Sequence, residues 1–572
     1  MPLLLALYVL APHRVSDADA LSRLATGRLL AHGLQLPASD PFTFSNPSAP
    51  FGDPEWLGDL LLYGVFDRFG DAGLQDFALL MAALGYALAL GLGMAFGGGA
   101  WGMSVLLLST LPAVAPRVSA RNDVHLLWIV PLFAWLALRA REQRSHRSSL
   151  FALFALGWLW ANLHASFVLG VPLAIAALLD AREYKRVLPW LALLAYLALP
   201  FAGLGGSSSY RQLIDHSVGA AVYRSLISEW QSPLASGGVL AVLPLHLLTL
   251  LGMAIFWRER KRVRWLPLAM FVIGVVLAYR SRRFLPLMAA MIAPALGVGL
   301  SGLRRDLPRR AQRVLQIAAS LCVLAYCALG LRSLLHRGPS PVFGDRDSPE
   351  RAAEFMRDHA PAGSRVANLF NDGPWLVFLS APRVQHYLDP RNNLGAAWLE
   401  RYVDEVLADP AKFDAEVSRL AITLALVRFD ERRGAVLAQH VAASNQWSLV
   451  YWDGTHALYA RRVEADRELI DHFAYRVLQP TLELSYLDSL PANDPRLERD
   501  LRELEKQSPA IASALRGYRL LRSGDRASAE EAVHAFERAL QELPATEGLL
   551  GYWAESLRAA GLGLGQRSTS DQ

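Results

Sequence analysis

Apolar residues fall into long blocks over the first 335 positions of the chain and into short runs afterwards. A helix that crosses a hydrocarbon core of roughly 30 Å needs about 20 apolar residues, and the long blocks approach this length. With residues 1–10, which we interpret as the outer part of a first helix, they predict about eleven membrane-spanning helices. The further blocks lie at about 74–96, 100–116, 124–139, 150–163, 166–180, 187–203, 238–256, 265–279, 284–302 and 311–332.

The pattern changes near residue 340, where apolar runs shorten to strand length and alternate with helical patterns. Such alternation predicts a small α/β domain over 340–463, with strands near 366–370, 384–388, 422–429, 449–452 and 457–460. Residues 465–560 are charged and helical, as in tetratricopeptide-like units or a plain helical hairpin. Residues 561–572 have the composition of a disordered end. The predicted fold class is therefore mostly α, a polytopic transmembrane bundle (1–335) with an α/β domain and a helical tail.

Composition and charge agree with a membrane body. Of the 572 residues 53% are hydrophobic, and the net charge is +5. The basic residues lie between apolar blocks, which favours membrane topology over nucleic acid as the reason for the charge. Cys322 and Cys327 both fall inside one apolar block, so they indicate no disulfide framework.

The basic loops also predict an orientation. Four of them fall on the same side of the predicted bundle, at residues 139–147, 182–186, 258–264 and 304–310. By the positive-inside rule that side is the cytoplasm. The loop 11–73, the loop 204–237 and everything after about 333 are then expected outside.

Asp17 and Asp19 open the first outer loop and are the first candidates for chemistry. A carboxylate there can act as a general base that takes a proton from an acceptor hydroxyl. The D-x-D pattern can also bind a divalent cation through its oxygens, although no complete metal site is predicted. The alternative is structural, because acidic residues cap helices and a helical pattern follows at 18–32.

Arg280, Arg282 and Arg283 lie in a very short loop on the predicted outer side, against the positive-inside trend. Arginine side chains bind phosphate through two parallel hydrogen bonds, and a lipid-linked phosphate is one ligand that would require them there. Snorkelling to headgroups, or pairing with Glu229 or Asp123, are the alternatives.

Other polar residues on the predicted outer side suggest a cavity, because ionisable groups near lipid are costly and usually face water. A histidine at such a helix end is also often structural, as is a tryptophan-flanked acid at the interface. The candidate cavity residues are Asp40, Glu55, Arg121, Asn162, His164 and Glu229.

Several stretches together resemble a bacterial group of polytopic membrane proteins similar to GT-C-fold glycosyltransferases. They are D-A-D at 17–19, P-A-S-D-P-F-T-F-S at 37–45, E-W-L at 55–57, W-A-N-L-H-A-S-F at 160–167, I-S-E-W-Q-S-P at 227–233, R-R-F-L-P-L at 282–287 and S-R-V-A-N-L-F-N-D-G-P-W-L at 364–376. The resemblance covers about residues 15–460. Arg23 stands where that group often carries a histidine.

The resemblance implies a polyprenyl-phosphate-linked sugar as donor, an active site at the outer face of the bacterial inner membrane and a catalytic aspartate in the first outer loop. Asp17 or Asp19 matches that position, and the domain after residue 340 would be periplasmic. Membrane lipids and protein partners of the helical tail are the other expected contacts. The rival hypothesis is a non-catalytic scaffold or lipid-handling subunit of an envelope polysaccharide machine.

Overall fold

The computed structural model describes residues 19–46, 50–140, 146–235, 242–260, 264–336, 348–391, 394–429, 434–543 and 546–562. Helices make up 71% of the structure, together with one small sheet. The chain divides into two compact units. Unit 1 comprises Met1–Ser39, Ala49–Gly344 and Arg391–Trp398, and unit 2 comprises Asp40–Ser48, Asp345–Pro390 and Leu399–Gln572.

Unit 1 is helical throughout its described part. Its α-helices are Asp19–Ala31, Trp56–Ala95, Ala100–Leu108, Leu111–Val114, Leu126–Arg139, His146–Leu163, Gly170–Ala181, Val187–Leu197, Ser208–Val218, Ala220–Leu226, Leu243–Arg258, Trp265–Arg280, Leu285–Met291, Ala293–Asp306 and Arg309–His336. Short 3₁₀ turns lie at Ala115–Arg117, Asn122–His125, Ala165–Leu169, Leu199–Ala202, Ser228–Trp230 and Arg282–Phe284.

The segment predicted as the outer loop 11–73 is largely helical where it is described. Asp19–Ala31 is a helix, and the helix Trp56–Ala95 begins well before the predicted start at residue 74. The polar residues in both stretches hid this, although the helices are well buried; Leu21, Leu24 and Leu62 are at most 1% exposed. The long helix contains one break, at Gly70, whose φ of 64° suits glycine. Residues 1–10, predicted as part of a first helix, lie outside the described residues.

Among the described residues, Trp56–Ala95 is long and apolar enough to cross a membrane, and Arg282–Met291 with Ala293–Leu303, bent by 42°, makes a second if the pair is one span. Several shorter apolar helices occupy the other predicted spans. The number of about eleven spans therefore stays a prediction. These shorter helices expose large apolar side chains, as Leu188 (75%), Leu194 (64%) and Trp257 (76%) do, which is typical of a surface that faces lipid.

The core of unit 1 forms where apolar helices meet around Trp160 and Phe133. Their rings pack edge to face with centroids 5.8 Å apart, and Tyr196 packs on Phe133 at the same separation. The predicted break in residues 150–180 is confirmed. His164 has extended backbone angles and its ring accepts a hydrogen bond from the Ser166 amide, which ends one helix and starts the next.

Unit 2 contains a five-stranded mixed sheet in the order β2-β1-β3-β5-β4. The strands are β1 (Ser364–Ala367), β2 (Val384–His386), β3 (Leu424–Arg428), β4 (Trp447–Trp452) and β5 (His456–Arg461). β1 pairs in parallel with β2 and β3, whereas β5 runs antiparallel to β3 and β4. Each of the five predicted apolar runs overlaps one strand. Helical segments lie at Glu350–His359, Gly373–Trp375, Leu376–Ser380, Ala396–Glu400, Arg401–Val406, Pro410–Leu420 and Ala435–Ala443.

The part of unit 2 after the sheet is helical, with short turns at Glu464–Asp466 and Leu484–Ser489. Its helices are Arg467–Phe473, Pro495–Gln507, Pro509–Leu521, Arg526–Glu542 and Glu547–Ala559. The last three pack as consecutive neighbours, with the Tyr552 ring 4.9 Å from Tyr518 and 6.2 Å from Phe536. This is a helical hairpin extended by one helix, and its assignment as a tetratricopeptide unit stays a prediction. Residues 563–572 of the predicted disordered end lie outside the described residues.

One glycine decides how closely the first two helices approach. A β-carbon added at Gly27 would lie 2.6 Å from Cβ of Tyr63 and would also meet the backbone of Asp59. Real β-carbon contacts are essentially never shorter than 3.0 Å. We predict that Gly27→Ala separates these helices and destabilises the protein by about 1–3 kcal/mol.

Gly64→Ala is the matched control, because a β-carbon there meets nothing within 4 Å and alanine favours a helix. Thermal unfolding of the purified protein in detergent measures both variants. Equal unfolding temperatures for Gly27→Ala and Gly64→Ala would contradict the close packing at Gly27.

Candidate active site

Three carboxylates gather where the helix Trp56–Ala95 begins. The side chain of Asp53 accepts a hydrogen bond from the Glu55 amide (2.9 Å), which holds the Asp53-Pro54-Glu55 turn. The Asp59 amide then donates to the Glu55 carbonyl (3.0 Å) and starts the helix. Because residues four apart share a helix face, the side chains of Glu55 and Asp59 lie together.

Arg23, on the helix Asp19–Ala31, lies between these carboxylates. Its guanidinium is 3.0 Å from Glu55, 3.6 Å from Asp59 and 3.8 Å from Asp53. The Arg23 side chain is 14% exposed, and those of its three partners are 1–6% exposed. A buried charge is tolerated only when paired, so this cluster fixes the two helices against each other.

Asn122 and His164 complete the surroundings of Glu55. The Asn122 amide donates to Glu55 (3.3 Å) and to Asp59 (2.5 Å). His164 Nε2 lies 3.4 Å from Glu55, and its Nδ1 accepts from the Ser166 amide at 3.0 Å. A neutral ring that accepts at Nδ1 carries its proton on Nε2, so His164 directs an N–H at the Glu55 carboxylate.

Asp53 and Glu55, the two acids that precede the helix, have pKa values shifted in opposite directions. Burial acts to raise the pKa of Glu55, but Arg23, His164 and the Asn122 hydrogen bond outweigh it and lower that pKa to about 2. Burial dominates at Asp53 and raises its pKa to about 6. Burial also lowers the pKa of His164, which favours the neutral ring. Glu55 is therefore an anion at neutral pH and a weak proton acceptor.

Glu229 organises a second cluster next to the first. It accepts a hydrogen bond from Arg121 (2.7 Å) and lies 3.0 Å from Arg117. Arg121 in turn lies 3.9 Å from Asp19, the first residue of the described part of the chain. Against the effect of burial, Arg121, Arg283 and Arg117 lower the pKa of Glu229 to about 2. The two clusters interact electrostatically. Asp19 favours the charged form of Arg23, and Arg283 favours the charged form of Glu55.

The three arginines predicted to bind phosphate take different positions. Arg283 lies 3.9 Å from Asp123, and its guanidinium sits over the ring of Trp230 at 5.4 Å. The pairing with Asp123 that the sequence left open is therefore present. Arg282 is half-buried, and its Nε has no hydrogen-bond partner. Arg280 ends the helix Trp265–Arg280 and is exposed.

A small cleft of about 20 Å³, with room for little more than one water molecule, lies beside Arg283. Charged side chains line one part of it, and apolar side chains line the rest. The lining residues are Arg117, Asp123 and Arg283 together with Val118, Val124, Leu126, Leu127, Phe284, Pro286 and Leu287. The ring of Trp230 also contacts His216 and Tyr223, each at a centroid distance of 5.0 Å, so an aromatic group flanks Arg283.

The other predicted site residues are placed apart from these clusters or outside the described chain. Asp17 lies outside the described residues. Asp40 belongs to unit 2, where it accepts a hydrogen bond from the Phe42 amide (3.0 Å) in a local turn. Asn162 is 1% exposed; its side chain accepts from Trp56 Nε1 at 2.6 Å and donates to the Trp158 carbonyl at 2.7 Å. Asn162 therefore acts here as a link between helices.

Sequence reasoning missed the residues that hold the first cluster together. It treated Arg23 only as a departure from the resembling group and did not single out Asp59 or Asn122. The spacing of Glu55 and Asp59, one helical turn apart, was a usable signal for a shared polar face. Asn122 has no such local signal, since its partners lie more than 60 positions away in the chain.

Within the described part of the chain, no group of three or more His, Cys, Asp or Glu side chains is arranged to hold a metal ion. The predicted D-x-D alternative needs Asp17, so a divalent cation at that motif stays an expectation.

Comparisons with known proteins concern the fold. No protein-family model and no curated protein sequence matches the chain. Among solved structures, the chain is similar to the arabinofuranosyltransferase AftD from Mycobacteria (TM-score 0.50, 14% identity), with 81% of this chain and 39% of that chain covered. It is also similar to ArnT from Cupriavidus metallidurans bound to undecaprenyl phosphate (TM-score 0.48, 14% identity), with 81% of this chain and 97% of that chain covered. A third similar structure is the oligosaccharyltransferase AglB from Archaeoglobus fulgidus in complex with an inhibitory peptide and a dolichol-phosphate (TM-score 0.45, 12% identity). It covers 94% of this chain, and 85% of that chain is covered.

The fold assignment rests on the similarity to the arabinofuranosyltransferase, for which the TM-score is 0.50. The fold is GT-C-like, as the resemblance in the sequence implied.

The ion cluster around Arg23 generates a stability prediction. We expect Arg23→Gln to destabilise the protein by about 3–5 kcal/mol, because it leaves three buried carboxylates without their cation. The double variant Arg23→Gln/Glu55→Gln should recover part of this loss, since it removes one of the unpaired charges.

Arg28→Gln, in the last turn of the same helix, is the control and should change stability by less than about 1 kcal/mol. Chemical unfolding in detergent measures all three variants. A loss for Arg23→Gln no larger than that for Arg28→Gln would show that the cluster does not hold the helices.

Proposed function

We propose that this chain is an integral membrane glycosyltransferase. It transfers a sugar from a polyprenyl-phosphate donor to an envelope acceptor at the periplasmic face of the bacterial inner membrane. The observation that carries the proposal is the cleft beside Arg283, where arginine side chains meet an apolar lining. The chemistry of this lining, more than its present volume, supports the proposal, because arginines bind phosphate and the apolar side chains suit an attached apolar chain.

Arg283 would hold the donor phosphate, with Arg282 or Arg280 assisting. As the bond between the anomeric carbon and the phosphate oxygen breaks, negative charge develops on the leaving phosphate. Fixed guanidinium groups stabilise that charge more strongly in a site with little water than in bulk solvent. Arg283 lines the cleft, whereas Arg282 is half-buried and lies next to it in the chain.

Asp17 or Asp19 would act as the general base, as the sequence predicts. It would take the proton of the acceptor hydroxyl while the oxygen attacks the anomeric carbon. Asp19 suits this task better than Glu55. Its side chain is 22% exposed and its ion pair with Arg121 is long at 3.9 Å, whereas the Glu55 side chain is 6% exposed and tightly paired.

The fold supports the class of reaction, since the arabinofuranosyltransferase that shares it is a glycosyltransferase by name. Trp230, with His216 and Tyr223, offers ring faces beside Arg283 against which a sugar could pack. Partner proteins would bind through the helical tail of unit 2.

The second candidate function is a non-catalytic scaffold or lipid-handling subunit of an envelope polysaccharide machine. One observation favours it. Glu55 and Glu229 both form close ion pairs, with Arg23 and Arg121, as carboxylates of a purely structural network do. On this view the cleft would hold a lipid phosphate without transferring its sugar.

The role of Asp19 separates the two functions. Asp19→Asn keeps the shape and the capping ability of the side chain but removes its basicity. As a base, Asp19 should contribute roughly 10²–10⁴-fold to the chemical step. We therefore predict a loss of that size with normal protein accumulation. The assay is turnover of the polyprenyl-linked sugar that accumulates in lipid extracts of a deletion strain.

Asp40→Asn, the same chemical change in a local turn of unit 2, serves as the control and should retain activity. Full activity of Asp19→Asn and Asp17→Asn, singly and together, would favour the scaffold.

The phosphate site makes a separate prediction. Arg283→Lys keeps the positive charge but loses the planar pair of donors, so we expect at least tenfold slower transfer. Arg283→Ala should cost about 10²–10³-fold. Arg309→Lys, at an exposed helix start, is the matched control. Wild-type rates and wild-type donor affinity in both Arg283 variants would rule this arginine out as the phosphate ligand.

A further inference from the structure

Unit 2 carries an open groove that the proposed reaction does not use. Its volume is about 610 Å³, within the range of about 300–1,000 Å³ found for small-molecule sites. The helix Glu350–His359 forms one wall through Arg351, Phe355 and His359. The helix Pro495–Gln507 contributes charged residues to the opposite wall.

Aromatic side chains form the base of the groove. The rings of Phe355, His359 and Phe473 lie within 4.6–5.1 Å of one another, and Tyr451 packs on Phe355 at 5.1 Å. Phe355 and Tyr451 are buried, while His359 is exposed and Phe473 is half-buried. The groove therefore presents a small platform of two ring faces on a fixed aromatic base.

A peptide strand cannot extend the sheet here. Tyr451 belongs to β4, the edge strand, whose outer hydrogen-bonding groups are already occupied. Gln507 accepts from the Trp452 amide (3.2 Å) and donates to the Val450 carbonyl (3.3 Å), and the Tyr475 amide donates to the Leu449 carbonyl (2.9 Å). Strand addition requires those groups to be free.

A partner helix is a poor match for a different reason. Helix recognition needs a continuous apolar stripe with anchors over about two turns. This groove offers one exposed ring, His359, and one half-buried ring, Phe473, between charged rims. A sugar ring fits better, since its C–H face is apolar and slightly positive and packs on the negative face of an aromatic ring, while its hydroxyls reach the polar rim.

The charges of the rim select among saccharides. Lys506 is paired with Glu503 at 2.9 Å, so these two nearly cancel. Arg351, exposed on the opposite wall, adds a positive charge next to the platform. A guanidinium binds a carboxylate through two parallel hydrogen bonds. The rim thus favours a sugar that carries a carboxylate.

From these features we propose that the groove formed by Arg351, Phe355, His359, Tyr451, Phe473 and Lys506 binds an acidic saccharide, a chain that contains hexuronic acid units. One sugar ring stacks on Phe473 and His359, and its carboxylate pairs with Arg351. The site does not depend on catalysis in unit 1, so it holds for an enzyme and for a scaffold alike.

Isothermal titration calorimetry of the full chain in detergent tests the proposal. The probe is an oligogalacturonate, compared with a neutral cello-oligosaccharide of the same length. We expect binding of the acidic chain, weakened at least about tenfold in Arg351→Gln because a charge-assisted hydrogen bond is lost. Phe473→Ala should weaken it about tenfold through loss of ring stacking.

Arg357→Gln is the matched control, since Arg357 lies on the same helix, pairs with Asp358 and does not line the groove. It should bind as the unchanged protein does. Arg351 is exposed, so its variant reports on binding even where Phe473→Ala perturbs folding. No binding of the acidic chain, equal binding of the neutral chain, or unchanged binding by Arg351→Gln would each overturn the proposal.

Discussion

The buried charge of Arg23 is the constraint on which the candidate site depends. A guanidinium among three carboxylates is stable only if each partner keeps its place, because removing any one leaves an unpaired charge away from water. Arg23 and Asp19 are one turn apart on a single helix. Anchoring Arg23 therefore also positions Asp19. In the same way, Asn122 is fixed by Glu55 and Asp59, and it carries Arg121 and Asp123 on either side.

In the proposed site, the groups that hold the helices together differ from the groups assigned to the reaction. Glu55 and Asp59 are buried and engaged, and they hold the helices Asp19–Ala31 and Trp56–Ala95 together. Asp19 and Arg283 are more exposed, and their ion pairs, at 3.9 Å, are longer. A site works best when rigid, well-packed neighbours support the groups that meet the substrate. Both sets consist of charged residues, so the sequence alone does not distinguish a structural ion-pair network from a reactive site.

Unit 2 follows a comparable division. Its sheet is closed to further strands at β4, because Gln507 and Tyr475 occupy the outer edge. The short segment that contains Phe42 and Phe44 joins the sheet beside β2, where the Phe44 amide donates to the His386 carbonyl at 3.3 Å. The P-F-T-F-S stretch, which the sequence grouped with the first outer loop, thus serves the sheet. With both edges occupied, the aromatic groove is the part of this unit that we propose as a ligand site.

The sequence by itself determined the local elements. Apolar blocks marked the longer apolar helices of unit 1, although the helices Ser208–Val218 and Ala220–Leu226 lie in the predicted loop 204–237. The change to short apolar runs marked all five strands, and the polar residues around His164 marked a helix break. These features depend on the periodicity of neighbouring residues, which a linear pattern records. The helix Asp19–Ala31 was the alternative interpretation of its stretch and not the leading one, because charged and polar residues interrupt its apolar positions and some of these polar residues, such as Ser22 and Thr26, are buried.

Tertiary structure alone decided which of the candidates meet. Glu55, Arg121, His164 and Glu229 come together with Asp19 and Arg283, whereas Asp40 belongs to another unit and Asn162 links helices. It also revealed Arg23, Asp59 and Asn122 as the centre of the network. Ion pairs act over about 4 Å, and which side chains come that close depends on how distant helices pack. That packing is set by shape at positions such as Gly27, where the absence of a side chain admits a neighbouring backbone, and no local pattern in the sequence records what will approach it.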